Sequence, residues 1–301
     1  MQLITAYISV ILIWSTTPLA IQWSSESVGF VFGISSRFIL GAIFALGLFA
    51  LLGKKLSLET KAIQTYLAGG LGMTFAMLCV YWASQFIPSG WISVIFGMTP
   101  IMTGLFAIKL LDEKGLTLFR LFAIGLCIAG LYTMLESGLL YGANTHLGII
   151  GVLLSVVFYS LNMVLIKKIN ADIDTFSSMT GTLIIAAIFI LILWIGFGEN
   201  IPTEIPMRAG LSILYLAIVG SVLGFFLFYY VLKRVEAMKA SLITLITPVF
   251  ALLLGHLTNN EPLTWKIIIS CSLILSGLLF FEFEGGIRRI RITKLLRINY
   301  E

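Results

Sequence analysis

Arg37 is the only basic residue deep inside an apolar run of this chain. It stands about ten residues from the outer end of its run, roughly 15 Å of helical rise, which puts it near the middle of a bilayer. An arginine at that depth costs at least a few kcal/mol and faces a protein interior or a water-filled cavity. No Asp or Glu lies at comparable depth. Its available chemistry is attraction of a carboxylate or phosphate on a solute. The structural alternative is a bond to backbone carbonyls or to Ser35 and Ser36, or snorkelling outward.

Pro100 and Pro248 fall in the middle of two other runs. Each removes a backbone donor and frees the carbonyl four residues back, on Phe96 and Thr244. Such carbonyls can bind a solute and the kink can act as a hinge, or the hydroxyls of Thr99 and Thr247 can heal a static bend. Pro18 is a third proline of this kind. Trp14, Ser15, Thr17, Tyr159, Ser160 and Asn162 are the polar and aromatic residues set deep in runs. They suit an aromatic-walled cavity for an amphiphilic solute, with core packing as the plainer use. Tyr81, Trp82 and Gln85, and Tyr229 with Tyr230, sit near opposite ends of two runs, as gates or as interfacial anchors. Glu113 and Glu261 lie just past run ends and are expected to cap a helix or pair with a base. Cys79, Cys127 and Cys271 are an odd set inside apolar runs, and His146 and His256 are far apart. Neither a disulfide framework, a metal site nor a cofactor is expected.

The elements that must carry these residues follow from composition. The 301 residues are 59% hydrophobic and 11% charged, and mean hydropathy is +1.06. So few charges cannot cover a water-exposed surface, and continuous apolar runs of about twenty residues are the length of a spanning helix. The predicted fold is an all-α membrane protein with ten transmembrane helices, over 3–23, 28–52, 62–87, 89–111, 116–136, 146–167, 173–196, 209–233, 237–258 and 265–284. The first is taken as a retained helix rather than a signal peptide. With a cytoplasmic N-terminus, sixteen Lys and Arg fall in even-numbered loops and the C-terminal tail, against Arg208 and Lys266 on the other side. That asymmetry predicts both termini in the cytoplasm. Trp23, Trp82, Trp91, Trp194 and Trp265 fall near outer ends and are read as an interfacial belt. The tail from 285 to 301 is basic, a topology anchor or a segment lying on anionic lipid.

The chain repeats itself. A shift of 148 residues matches Gly72 with Gly220, Tyr81 with Tyr229, Thr99-Pro100 with Thr247-Pro248 and Glu113 with Glu261. A shift of 145 matches Ser15 with Ser160 and Ala42-Ile43-Phe44 with Ala187-Ile188-Phe189. Residues 2–140 and 141–284 then form two units of five spans. An odd number of spans inverts the second unit, which predicts two inverted repeats around a central cavity and transport by alternating access. The symmetry is incomplete: Thr182 stands opposite Arg37 and Met163 opposite Pro18. Gly29/Gly33, Gly220/Gly224 and Gly125/Ala129 have close-packing spacing, within the chain or at a homodimer seam.

The stretch from Ser93 to Leu131 and its copy from Ser241 to Leu279, with Trp14-Ser15 and Arg37-Phe38, resemble the EamA-type carriers of the drug/metabolite transporter superfamily. The resemblance covers essentially the whole chain. It implies ten helices, a central cavity and movement of amino acids or other small metabolites. The expectation is a secondary transporter of the inner membrane for an amino acid or related carboxylate-bearing solute, with export favoured. Phosphorylated or nucleotide-linked metabolites and a channel-like facilitator are the alternatives. No nucleotide-binding GxxxxGK[ST] run and no intramembrane nucleophile–base pair is readable, so an enzyme is not expected. Partners are the solute and lipid, with no nucleic acid, as monomer or homodimer.

Overall fold

Lipid cannot hydrogen-bond the backbone, so each apolar run must satisfy its own N–H and C=O groups as a helix. The computed structural model describes residues 2–111, 117–138, 142–198, 201–235 and 243–298, with side chains to 281. The described residues are helical: α1 Gln2–Ser25, α2 Phe30–Leu51, α3 Thr60–Ala83, α4 Ser89–Phe96, α5 Thr99–Leu110, α6 Leu118–Gly138, α7 Thr145–Ile169, α8 Thr175–Phe197, α9 Met207–Tyr215, α10 Gly224–Arg234, α11 Ile243–Asn259 and α12 Trp265–Ile298, with a π-helical stretch Leu216–Leu223 joining α9 to α10. Eight stretches are long and apolar enough to cross a membrane, counting α4–α5 as one and α9–α10 as another. Two further apolar helical segments are Ile243–Asn259, which begins at the first described residue of its run, and Trp265–Phe281 within α12.

The expected single helix over 89–111 is broken. α4 ends at Phe96, and Gly97 and Met98 form a turn before α5. Pro100 therefore sits in the first turn of α5, where its missing N–H costs nothing, and is not a mid-helix kink. Pro248 does lie inside its helix, α11, so the two prolines do different jobs. The 209–233 run was expected to be regular and instead carries the eight-residue π stretch, which changes the facing of every side chain after it. Glu113 and the start of the 237–258 run lie outside the described residues. The last helix continues past 284 to Ile298; the tail's side chains lie outside the described residues.

Packing runs mostly between halves. α1 packs on α11 while α4 and α5 pack on α7; α1 packs on α9 and α10 while α3 packs on α7; α2 packs on the π stretch while α3 packs on α8. Each of these relations turns into its counterpart when first-half helices are exchanged for second-half ones. α2 with α8, α4 with α11 and α6 with α12 map onto themselves. The interior corrects one expectation: Trp91 is fully buried in the main core, and is not part of a lipid-facing belt. Trp265 remains 76% exposed and fits one. Gly33 packs against the Ser24 carbonyl and Gly224 against Ile13 and Trp14, so these spacings serve contacts inside the chain, while Gly125 faces open space.

Candidate functional site

A cavity of about 70 Å³ lies between the halves, lined by residues of α1, α2, α3, α4, α7, α10 and α11. Arg37 on α2 reaches it with 1% of its surface exposed. Its Nε donates to Ser221 Oγ at 3.0 Å, and its Nη1 lies 4.0 Å from Met77 Sδ. Nη2 lies beside Gly220. Gly220 and Ser221 belong to the π stretch, which packs on α2. The described lining holds no carboxylate. With one N–H on Ser221 and one toward Met77 Sδ, three N–H groups of the guanidinium are left for solvent, backbone or a solute.

The opposite wall is aromatic. Trp14 meets Tyr159 edge-on with ring centres 6.4 Å apart, and Tyr159 meets Phe96 at 5.2 Å. Trp14 also packs on Phe228 at 4.8 Å. Thr17, Ser93, Thr244 and Thr247 complete the polar part of the lining, and Pro18 and Phe225 add apolar surface. Thr17 Oγ1 donates to the Ile13 carbonyl at 2.8 Å.

Other residues singled out from the sequence are placed elsewhere. Ser15 donates to the Ile11 carbonyl at 2.7 Å and turns away from the cavity. Ser160 donates to the Thr99 carbonyl at 3.2 Å, tying α7 to the start of α5. Thr99 Oγ1 occupies the freed Phe96 carbonyl at 2.5 Å, so that carbonyl is healed locally. Asn162 is buried against Gly72, and its Oδ1 has no hydrogen-bond partner among the described residues. Tyr81 is fully buried rather than interfacial, with Ser24 Oγ 3.5 Å from its hydroxyl. Tyr229 is buried and its hydroxyl pairs with Thr182 at 3.3 Å. Trp82 packs on Phe86, Gln85 is exposed and donates to the Trp82 carbonyl, and Tyr230 lies under Arg234.

The model of the EamA-like transporter family matches residues 2–135 and again 146–283. The chain belongs to the EamA-like transporter family. It is a multi-pass membrane transporter. Among relatives of this transporter, the Bacillus subtilis protein named Uncharacterized transporter YoaV is 25% identical over 287 residues, 94% of this chain and 97% of that protein. Uncharacterized inner membrane transporter YedA of Escherichia coli K12 is 28% identical over 272 residues, 88% of this chain and 85% of its own. A crystal structure with 18% identity superposes with a TM-score of 0.66 over 93% of this chain and 97% of its own, which shows the fold alone.

Both ends of this EamA-like transporter carry polar networks whose partners were not legible in the sequence. At one end Asn260 takes a left-handed backbone (φ 51°) that turns the chain after α11. Glu261 is 8% exposed, and its carboxylate accepts from Ser89 N at 2.9 Å and Gly90 N at 3.0 Å. These are first-turn donors of α4, whose N-cap residue Pro88 offers no side-chain cap. Glu261 thus caps a helix of the other half, and Gly255 leaves it room. Asn259 extends the network to Trp23, Gln22 and Arg208. At the other end Asp174 caps α8 through Phe176 N and Ser177 N and pairs with Lys54 at 2.9 Å. Burial opposes ionisation of Asp174, but hydrogen bonds from Ser177 and Lys54 outweigh it and lower its carboxyl to about 2.

Proposed function

We propose that this chain is a ten-span secondary carrier that moves a small carboxylate-bearing solute, an amino acid or a close relative, across the inner membrane by alternating access. The observation that carries the reading is Arg37: a guanidinium 1% exposed, lining a central cavity whose described walls hold no carboxylate. A buried cation without an anion is costly, and an anionic solute removes that cost on arrival. Arg37 receives the carboxylate. Trp14, Phe96 and Tyr159 hold the apolar body, and the hydroxyls of Thr17, Ser93, Thr244 and Thr247 offer bonds to its remaining polar groups. The break between α4 and α5 and Pro248 within α11 are the hinges.

The ten-span count takes Ile243–Asn259 and Trp265–Phe281, apolar segments of α11 and α12, as the ninth and tenth spans. An inverted second half is supported by the interchange of helix pairs between the halves. Both termini are cytoplasmic by the Lys and Arg asymmetry. The carrier runs down whichever gradient exists, with net export when the solute is made inside.

The test is counterflow in proteoliposomes holding the purified protein, with phenylalanine, leucine, their 2-oxo acids and their amides as probes. Saturable counterflow of the carboxylates, absent with the amides and lost in Arg37→Gln, is expected. Amides carried as well as acids would remove Arg37 from the site. Flux that never saturates would replace the carrier by a channel.

A further inference from the structure

Two ion pairs outside the cavity are built to one plan. Arg208, the second residue of α9, reaches Glu26 in the α1–α2 loop at 3.5 Å. Lys54, in the loop before α3, reaches Asp174 in the α7–α8 loop at 2.9 Å. In each pair the acid lies between the first two helices of one half, and the base lies at the junction of the second and third helices of the other half. Exchanging the halves turns one pair into the other. The resemblance extends to the aromatic beneath each base. Arg208 stacks over Trp23 at 4.3 Å, and Lys54 lies 5.7 Å from the Phe176 ring centre. In both cases the ring belongs to the same helical hairpin as the acid.

The pairs lie at opposite ends of the bundle. Glu26 precedes α2 and Lys54 follows it, and the 22 residues of α2 span about 33 Å. All four side chains are roughly half exposed, 47% and 54% in one pair and 41% and 49% in the other. Exposed pairs of this kind are weak enough to break and reform in each transport cycle.

We propose that these pairs are opposed latches. Glu26–Arg208 holds the outer mouth shut, Lys54–Asp174 holds the cytoplasmic mouth shut, and their balance sets the ratio of outward-open to inward-open carrier. The four residues touch no solute in this scheme; they position the halves. The proposal rests on the alternating-access reading and on the orientation given with it. Both pairs are formed together in this structure; a latch that breaks in one open state and persists in the other shifts the equilibrium by its own differential contribution. Removing one exposed pair should therefore change the ratio roughly two- to fivefold.

The experiment uses the full chain with Cys79, Cys127 and Cys271 replaced by serine and Ser93→Cys as a reporter inside the cavity. A membrane-impermeant maleimide is applied to right-side-out and inside-out vesicles. Glu26→Gln should raise labelling from outside and lower it from inside. Lys54→Gln should do the reverse, leaving the Asp174 cap of α8 in place. The double variant should return to the parent ratio, and the exchange Glu26→Arg with Arg208→Glu should restore the outer latch. If the parent labels from both sides but the single variants move together or not at all, the latches are wrong and alternating access stands. If the reporter labels from one side alone in every variant, alternating access fails and takes the latches with it.

Discussion

Arg37 Nε and Ser221 Oγ are 3.0 Å apart across 184 residues of chain, joining α2 of the first half to the π stretch of the second. Ser221 takes the Nε–H, while Nη1 lies toward Met77 in the cavity wall. Ser221→Ala removes a bond from a charged donor, worth about 1.5–3 kcal/mol. The expected result is a KM for carboxylate solutes raised at least about tenfold with little change in maximal rate, and partial recovery in Ser221→Thr. Counterflow kinetics at several solute concentrations read the split. An unchanged KM would show that Arg37 holds its position without the hydroxyl.

Glu261 seats on Gly255 and caps α4 with both carboxylate oxygens. Glu261→Ala strands two buried first-turn donors, at a cost of about 1–3 kcal/mol. Gly255→Ala should be comparably harmful, because its methyl group would occupy the space of the Glu261 carboxylate. Thermal unfolding of the detergent-solubilised protein, followed by tryptophan fluorescence, should show both variants melting several degrees below the parent. Parent-like melting in both would mean that water can cap α4 instead.

Two glycines with the same sequence spacing should behave in opposite ways. A methyl group at Gly33 would sit 2.8 Å from the Ser24 carbonyl oxygen, a backbone atom with nowhere to move, whereas at Gly125 nothing lies within 4 Å. Gly33→Ala should lower stability by about 1–3 kcal/mol, and Gly125→Ala should leave it unchanged. The same melting assay checks both. A destabilised Gly125→Ala would point to a contact with a second copy of the chain.

Asp174 ionises near 2, below its ordinary value of 3.8. A carboxyl depressed in the folded state stabilises the protein fully above its unfolded pKa. That contribution is lost as pH falls from about 4 toward 2. Since the group is half exposed, the amount is under about 1 kcal/mol. Asp174→Asn should melt slightly below the parent at pH 6, and the difference should close as the pH approaches 2. A gap that persists at pH 2 would assign the effect to the lost cap geometry rather than to charge.

By itself, the sequence determined which stretches form helices and set the depth expected of Arg37. Both are local properties: a long apolar run satisfies its own backbone in lipid, and depth is a count of residues from its end. The repeat also showed in matched residues such as Thr99-Pro100 and Thr247-Pro248. Which residue meets which was decided by tertiary structure alone. In a spanning helix the lipid side and the buried side are both apolar, so the pattern does not reveal how the helix is turned about its axis. That hid the burial of Trp91 and the turning of Ser15 away from the cavity. The π stretch that carries Ser221 and the break at Gly97 likewise depend on packing between halves, as do the Glu261 cap on α4 and the pairing of Glu26 with Arg208. Each of these contacts joins segments distant in sequence, and only the packed bundle sets the rotation that brings them together.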